Sequence, residues 1–159
     1  MNPEADSGKV RQVGDMRVFQ QFRGLALQVE AVTRQFGPDF RWLRVQCLRS
    51  SESVCANLTE GFYSQYSTEY LQALYRCRRE ARETMGHLDY AADVRQLTDD
   101  GVAVLSDAYE EALKLLANLI SSIESKIRSR GKAKEYPNTV REGLTRYELA
   151  GDWITNDQG

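Results

Sequence analysis

The feature that most restricts the fold of this chain is the spacing of its apolar residues, which recur every third or fourth position through four long segments. This spacing places apolar side chains along one side of an α-helix, because a helix turns once in about 3.6 residues. None of the segments shows the alternation of apolar and polar residues that predicts a β-strand. The four apolar stripes are Val18, Phe22, Leu25, Val29, Val32 and Phe36; Phe40, Leu43, Cys47, Ser51, Val54, Leu58 and Phe62; Leu71, Leu74, Cys77, Ala81, Leu88 and Ala92; and Val102, Leu105, Tyr109, Ala112, Leu116, Leu119, Ile123 and Ile127.

Helix boundary signals separate these stripes into four helices. The first helix is predicted at about 15–35, and Pro38 stands where the second can begin, because proline fits the first helical position. Ser or Thr at 67–68 predicts the N-cap of the third helix, Thr98 predicts that of the fourth, and Gly131 is expected to end it. Small residues in the second stripe predict a close approach of a neighbouring helix. Four long helices with short connections predict an all-α fold, an antiparallel up-down four-helix bundle with a C-terminal extension.

The chain divides into a flexible N-terminal segment at 1–14, the bundle at 15–131 and a C-terminal tail at 132–159. A length of 159 residues suits one compact domain. The tail carries a narrow apolar stripe that predicts a short fifth helix. Because such a stripe cannot close a core alone, the tail either frays or packs on its own bundle, or it docks on a neighbouring subunit or another partner. The tail residues expected to dock are Leu144, Tyr147, Trp153 and Ile154.

Composition excludes several classes of protein. The formal net charge of −2 excludes nucleic-acid binding through a strongly basic overall charge, although it leaves a local basic patch open. No apolar run reaches the roughly 18 residues of a membrane span, and the N-terminus lacks the layout of a signal peptide. Cys47, Cys55 and Cys77 are odd in number and widely spaced, which predicts buried thiols rather than disulfides or a zinc site. We therefore expect a cytoplasmic protein that does not bind a membrane.

Residues able to carry catalysis or hold a metal are few. His87 is the single histidine of the sequence, and no Glu lies three residues before it, whereas a ferritin-like di-metal centre needs two Glu-x-x-His pairs. The sequence also lacks a glycine-bracketed nucleophile and the glycine motifs that bind phosphate. Glu60 and Glu83 form the one carboxylate pair that we weigh as an enzymatic alternative. We expect a protein without enzymatic activity, metal or cofactor.

A cluster of polar residues adjoins the second apolar stripe near its end. Asn57, Glu60 and Gly61 lie at positions i, i+3 and i+4, which share one face of a helix. Burying an amide and a carboxylate is costly unless both are hydrogen-bonded. Their expected partners are each other, the capping region at 67–68, or a basic residue on a facing helix. We interpret the cluster as a polar network that fixes helix register and the turn at Gly61.

The segment that contains this cluster resembles a known family. Residues 53–62, with the sequence SVCANLTEGF, and residues 67–71, STEYL, are similar to the hallmark of four-helix-bundle proteins encoded in intervening sequences of bacterial 23S ribosomal RNA genes. Residues 18–27 are similar to the first helix of that family, and Glu83 matches a recurring acid on its third helix. The resemblance covers about residues 16–130.

This resemblance implies a small bundle that assembles as a homopentamer and has no known catalytic activity. It also implies a relation to the accessory variability proteins of diversity-generating retroelements, which are basic pentamers that bind a reverse transcriptase and its template RNA. Asn57, Glu60, Gly61 and Glu83 carry over as signature positions with a structural role. The expected partners are further copies of this chain, a reverse transcriptase or another protein, and RNA.

Basic residues form the expected binding surface, although the chain is acidic overall, unlike the RNA-binding branch. Residues 126–146 contain seven Lys and Arg against two Glu. Such runs are either solvated helix ends that complement the helix dipole, or contacts for phosphates. The alternative function is an adaptor that docks a partner through its tail without nucleic acid. The residues expected to contact nucleic acid or a partner are Arg76, Arg78, Arg79, Arg82, Lys126, Arg128, Arg130, Lys132 and Lys134.

Overall fold

The computed structural model describes residues 10–132 of the chain, which form one bundle of α-helices. The helices are α1 (Arg17–Thr33), α2 (Arg41–Phe62), α3 (Ser67–Asp93) and α4 (Asp99–Lys132). Consecutive helices pack side by side, and α4 also packs on α1, so the bundle closes. The predicted all-α fold and the four-helix bundle are confirmed. Within the described range, no helix is both long enough and apolar enough to cross a membrane.

The helices begin close to the predicted residues, with one difference in capping. The hydroxyl oxygen of Thr98 accepts a hydrogen bond from the N–H of Gly101 at 3.2 Å, so the predicted cap of α4 is present. Helix α3 begins at Ser67 itself, with Tyr66 at the N-cap position and no side-chain cap, so the predicted cap at 67–68 is wrong. Helix α4 includes Gly131, where the sequence predicts its end, and extends to Lys132, the last residue that the structure describes.

The packed part of the chain begins earlier than the bundle predicted from the sequence. The sequence predicts a flexible segment at 1–14, of which the residues from Val10 onward are described. The Val10 side chain is fully buried. The Asp15 carboxylate accepts hydrogen bonds from the N–H groups of Arg11 and Gln12, at 2.9 and 3.0 Å, and these bonds lower the pKa of Asp15. The described residues before α1 therefore pack against the bundle.

The core forms where the four predicted stripes meet. Its largest fully buried side chains come from all four helices and include Phe22 in α1, Leu58 in α2, Leu88 in α3 and Tyr109 in α4. The rings of Phe22 and Tyr109 pack with their centroids 6.2 Å apart. Some members of the predicted stripes are only partly buried, namely Val32, Phe40, Leu71, Ala92 and Ile127.

Helices α2 and α3 form the most extensive contact in the bundle, and small side chains allow it. Ser50 of α2 and Thr84 of α3 are fully buried, and the Thr84 hydroxyl donates a hydrogen bond to the Ser50 hydroxyl oxygen at 2.9 Å. The Thr84 side chain also lies beside the hydroxyl of Tyr109 on α4. The predicted approach of a helix to the small residues of α2 is therefore confirmed, and a chain of hydroxyls links α2, α3 and α4 at one level.

The two ends of the bundle differ. The end that holds the α1–α2 and α3–α4 connections, here called the loop end, is joined by Gln96, whose Oε1 accepts a hydrogen bond from the N–H of Gly37 at 2.7 Å. A 3-10 turn that begins at Pro38 leads from there into α2, as the sequence predicts. The opposite end, here called the entry end, holds Val10, the α2–α3 connection and Lys132, the last described residue of α4.

Candidate functional site

The predicted polar cluster forms between α2 and α3 near the entry end. Arg76 of α3 lies between Asn57 and Glu60 of α2. Its Nε donates a hydrogen bond to Asn57 Oδ1 at 2.7 Å, and its Nη2 donates one to Glu60 Oε1 at 3.0 Å. The Asn57 amide nitrogen donates to the carbonyl oxygen of Ser53 at 2.7 Å. Of the partners that the sequence leaves open, the basic residue on a facing helix is the one present.

Solvent exposure limits what this cluster contributes to stability. The side chain of Arg76 is 37% exposed and that of Glu60 is 70% exposed. Water therefore screens their ion pair, and exposed pairs of this kind contribute about 0–1 kcal/mol. The hydrogen bonds from Arg76 to Asn57 and Glu60 are directional, however, and join two helices. The cluster therefore joins α2 to α3 through directional bonds at fixed positions of the two helices.

Gly61 adjoins the cluster and has a packing role. A Cβ atom at this position would lie 2.7 Å from the Cβ of Ala73 and 2.8 Å from Cδ2 of Tyr70. Both distances are shorter than any ordinary contact between carbon atoms. Gly61 lies in the last turn of α2, which ends at Phe62, and its carbonyl oxygen accepts hydrogen bonds from the N–H and the hydroxyl of Ser64 in the connection that follows. The glycine also permits the close approach of α3.

An open groove of about 670 Å³ lies beside this cluster. Glu60 and Glu69 both border it, and Arg76, its one lining arginine, is already bonded to Glu60. Its lining therefore carries excess negative charge, which disfavours phosphate groups and other anions. The groove is lined by Glu60, Gly61, Tyr63, Ser64, Thr68, Glu69, Gln72, Ala73 and Arg76.

Glu83, the fourth signature residue, lies apart from the other three. Its Oε1 accepts a hydrogen bond from Arg49 Nη2 of α2 at 3.2 Å and lies 3.4 Å from His87 Nε2. Glu83 is two helical turns from Arg76 along α3, a separation of about 10 Å. Glu60 and Glu83 therefore contact different arginines, and the structure does not bring them together as an acid–base pair.

The arginines that the sequence groups on α3 diverge in the structure, and two of them contact neighbouring helices. Arg76 joins the polar cluster with α2. Arg82 forms an ion pair with Glu110 of α4, with Nη2 and Oε2 3.1 Å apart. The adjacent guanidinium holds the pKa of Glu110 below its ordinary value. Arg76 and Arg82 thus connect α3 to its two neighbours on opposite sides.

The other two arginines, Arg78 and Arg79, present their charge at the surface. The Arg78 guanidinium lies over the ring of Tyr75, 5.2 Å from its centroid, and the Arg79 side chain is 71% exposed. The Tyr75 hydroxyl donates a hydrogen bond to the Glu124 carboxylate of α4, which raises the pKa of Tyr75. Arg128 is exposed one turn beyond Glu124. Arg78 and Arg128 therefore flank the Tyr75–Glu124 contact.

The last described turns of α4 place further basic residues at the entry end. Arg130 is exposed and Lys126 is half-buried. The predictions for the remaining basic and tail residues concern side chains outside the part of the chain that the structure describes. These residues are Lys132, Lys134, Leu144, Tyr147, Trp153 and Ile154.

The three cysteines are free thiols. Cys47 and Cys77 are buried and Cys55 is half-buried. Burial raises the pKa of Cys47 and of Cys55 to about 11, and it raises that of Cys77 still further. All three are therefore protonated near neutral pH and are poor nucleophiles. Among residues 10–132, no group of three or more His, Cys, Asp or Glu is placed to hold a metal ion.

The sequence analysis did not identify the apolar residues on the outer faces of α2 and α4. Trp42 and Val45 of α2 are 52% and 58% exposed, and Val104 of α4 is 67% exposed. Trp42 packs against Tyr90 of α3 with ring centroids 6.0 Å apart. The sequence signal that could have identified them is a large apolar residue that lies outside the predicted apolar stripe of its helix.

Comparison with known families gives a match over most of the bundle. The model of a family described as 23S rRNA-intervening sequence protein matches residues 14–118. This range contains α1, α2, α3 and the first part of α4, and it includes the whole polar cluster. No curated protein matches the chain.

Proposed function

Because this chain belongs to the 23S rRNA-intervening sequence protein family, we propose that it is a non-enzymatic, homo-oligomeric scaffold that binds other macromolecules. The proposed assembly is a homopentamer in the cytoplasm. The proposed partners are structured RNA, a reverse transcriptase, or both. In this role the protein brings other molecules together and performs no chemical step of its own.

The observation that carries this proposal is the exposure of four arginines on α3 and α4, here called the basic surface, of which Arg79 also pairs with Glu80 of its own helix. They are Arg78, Arg79, Arg128 and Arg130. All four side chains are exposed. Guanidinium groups bind phosphates in a planar, bidentate way, and the Tyr75 ring beneath Arg78 adds an aromatic surface. In a symmetric oligomer this surface repeats around the axis, so that its attraction for a polyanion adds up.

The geometry of the polar residues supports a role without catalysis. Glu60 and Glu83, the carboxylates weighed as an acid–base pair, are held by different arginines. The pKa values of the three thiols are raised, so none is activated as a nucleophile. These arrangements suit structural roles for the same side chains.

The proposal is tested by measuring the binding of structured RNA to the full chain over a range of salt concentrations. Binding is expected to weaken steeply with salt, because each phosphate contact contributes about 0.9 to the slope of log affinity against log salt. Replacing Arg78, Arg79 and Arg128 together by Ala should weaken binding at low salt and reduce that slope. Arg34→Ala is the control, because Arg34 is an exposed arginine directly after α1 that pairs with Glu30 near the loop end.

Two outcomes separate the alternatives. RNA binding that is absent, or equal in the triple variant and the wild type, contradicts the RNA part of the proposal. A protein partner that binds independently of salt, and is lost when the chain is truncated after Gly131, favours the adaptor that docks through its tail. Retention of that partner by the truncated chain contradicts the adaptor.

A further inference from the structure

The outer face of α2 carries an exposed valine between two arginines. Val45 is 58% exposed, Arg41 precedes it by one helical turn, and Arg49 follows it by one turn. Both arginines are exposed, and Arg49 also contacts Glu83 of its own chain. Trp42, next to Arg41, extends the apolar surface toward α3. This surface, Arg41, Trp42, Val45 and Arg49, is called the α2 face below.

The outer face of α4 carries the same pattern with the opposite charge. Val104 is 67% exposed, Asp100 precedes it by one turn, and Asp107 follows it by one turn. Both aspartates are exposed, and neither forms an ion pair within residues 10–132. This surface, Asp100, Val104 and Asp107, is called the α4 face. The distance between its two charges along the helix is about 10 Å, against about 12 Å on α2.

The two faces stand at the same height in the bundle. The chain of hydroxyls from Ser50 through Thr84 to Tyr109 links α2, α3 and α4 at one level. Arg49 comes directly before Ser50, and Asp107 comes two residues before Tyr109. In an up-down-up-down bundle the second and fourth helices run in the same direction. Counted from the loop end, the outer face of α2 presents a basic residue, a valine and a second basic residue. The outer face of α4 presents an acidic residue, a valine and a second acidic residue at matching heights.

From this match we propose that the α2 face of one copy packs on the α4 face of the next copy, with the two helices parallel. Arg41 then meets Asp100, Arg49 meets Asp107, and the two valines are buried against each other. The proposal rests on the homo-oligomer of the proposed function and assigns its interface. The occupant is a second copy because charge, spacing and height are complementary within one chain.

The equal height of the faces limits the kind of assembly that follows. A contact between two different surfaces of one chain produces a closed ring or an open helical filament. A ring requires a rotation without any shift along the axis, and two faces at the same height satisfy this when the axis is parallel to the helices. It also requires that the rotation from one copy to the next divides a full turn. Every copy joined by the proposed contact keeps its loop end on the same side.

The test is a charge-reversal cycle on the full chain, with molar mass measured by light scattering over a dilution series. Arg41→Glu and Asp100→Arg each place like charges opposite one another, so each should lower the association constant at least about tenfold. The chain that carries both reversals should assemble again, because the pair is restored with its signs exchanged. The matched controls are Glu69→Arg, which reverses another acid in the first turn of a helix, and Arg23→Glu, an exposed arginine of α1.

Circular dichroism of every variant separates loss of assembly from loss of folding. If Asp100→Arg unfolds α4, Asp107→Arg takes its place with Arg49→Glu as its complement. A wild-type oligomer that neither single reversal affects overturns this interface and leaves the proposed scaffold function standing. A wild-type monomer overturns the oligomer in both proposals, and the RNA-binding measurement then decides what remains of the scaffold function.

Discussion

At Gly61, the addition of a single methyl group by substitution with alanine should have a large effect on the free energy of unfolding. In an exposed helix interior, Gly→Ala stabilises by about 1 kcal/mol, because alanine restricts the unfolded chain. At Gly61 the added Cβ would meet Ala73 and Tyr70 at 2.7 and 2.8 Å, so α3 would have to move away. We expect Gly61→Ala to destabilise the protein by about 1–3 kcal/mol, measured as the shift in a urea unfolding curve.

Gly86 provides the matched control for that substitution. It lies inside α3, and a Cβ built on it has no atom within 4 Å. Gly86→Ala should therefore stabilise the protein by about 0.5–1 kcal/mol. If both substitutions stabilise the protein, α2 and α3 do not approach each other as closely as described.

The polar cluster shows how far single residues can be interpreted from sequence. The shared face of Asn57 and Glu60 follows from helical spacing alone, and so does their need for a partner. The identity of that partner does not, because Arg76, Arg78 and Arg79 are neighbours in sequence and only the rotation of α3 against α2 decides which one reaches Asn57. Glu83 lies on the same face of α3 as Arg76, and the two helical turns between them separate it from the cluster.

The C-terminus of α3 contains a residue in an unfavourable conformation. Arg95 has φ of 59°, in the left-handed region. The N–H of Arg95 donates to the carbonyl of Ala92 and that of Gln96 donates to the carbonyl of Ala91, both at 2.8 Å, which is the Schellman pattern of hydrogen bonds. Glycine is the usual residue at this position, because it lacks the Cβ that makes this region costly.

Replacing Arg95 by glycine should therefore stabilise the protein. The expected gain is about 1 kcal/mol, measured by urea or thermal unfolding. Arg95→Ala is the control, since it removes the same charged side chain but keeps the Cβ. If both variants shift the transition equally, the effect comes from the lost side chain and not from the backbone conformation.

Whole elements were easier to predict than their contacts. The apolar stripes identify all four helices, because burial of one side imposes the periodicity, and Thr98 identifies the start of α4 because its hydroxyl must accept an N–H. Tyr66 at the N-cap of α3 gives no such signal, since its side chain does not cap. The exposed Val45 and Val104 fall outside these stripes, and that position is the signal by which the sequence indicates that they face away from the core.

At the scale of the whole molecule, the buried cysteine thiols and tyrosine hydroxyls should make the free energy of unfolding depend on pH in the alkaline range. Burial raises the pKa of Cys47 and Cys55 to about 11 from an ordinary 9.0, and it also raises those of Cys77, Tyr70 and Tyr109. These groups lose their protons more easily in the unfolded chain. Their contribution to stability is therefore complete below about pH 9 and declines as the pH rises toward the folded values.

Urea unfolding at a series of alkaline pH values checks this prediction. The free energy of unfolding should fall between about pH 9 and pH 11. Replacing the three cysteines by Ala should make that decline shallower, whatever it does to stability at neutral pH. A decline of equal steepness in the variant would mean that the thiols are not the groups responsible.

Val10 and Lys132 both lie at the entry end of the bundle, and this determines by which end the molecule can be attached to a solid support. The described chain enters and leaves the bundle at the entry end, so a support coupled at Lys132 holds the protein by that end. The axes of the four helices then point away from the support. The loop end points into solution, and the α2 and α4 faces stay open along the sides to an incoming molecule. Immobilisation would thus give every molecule the same orientation.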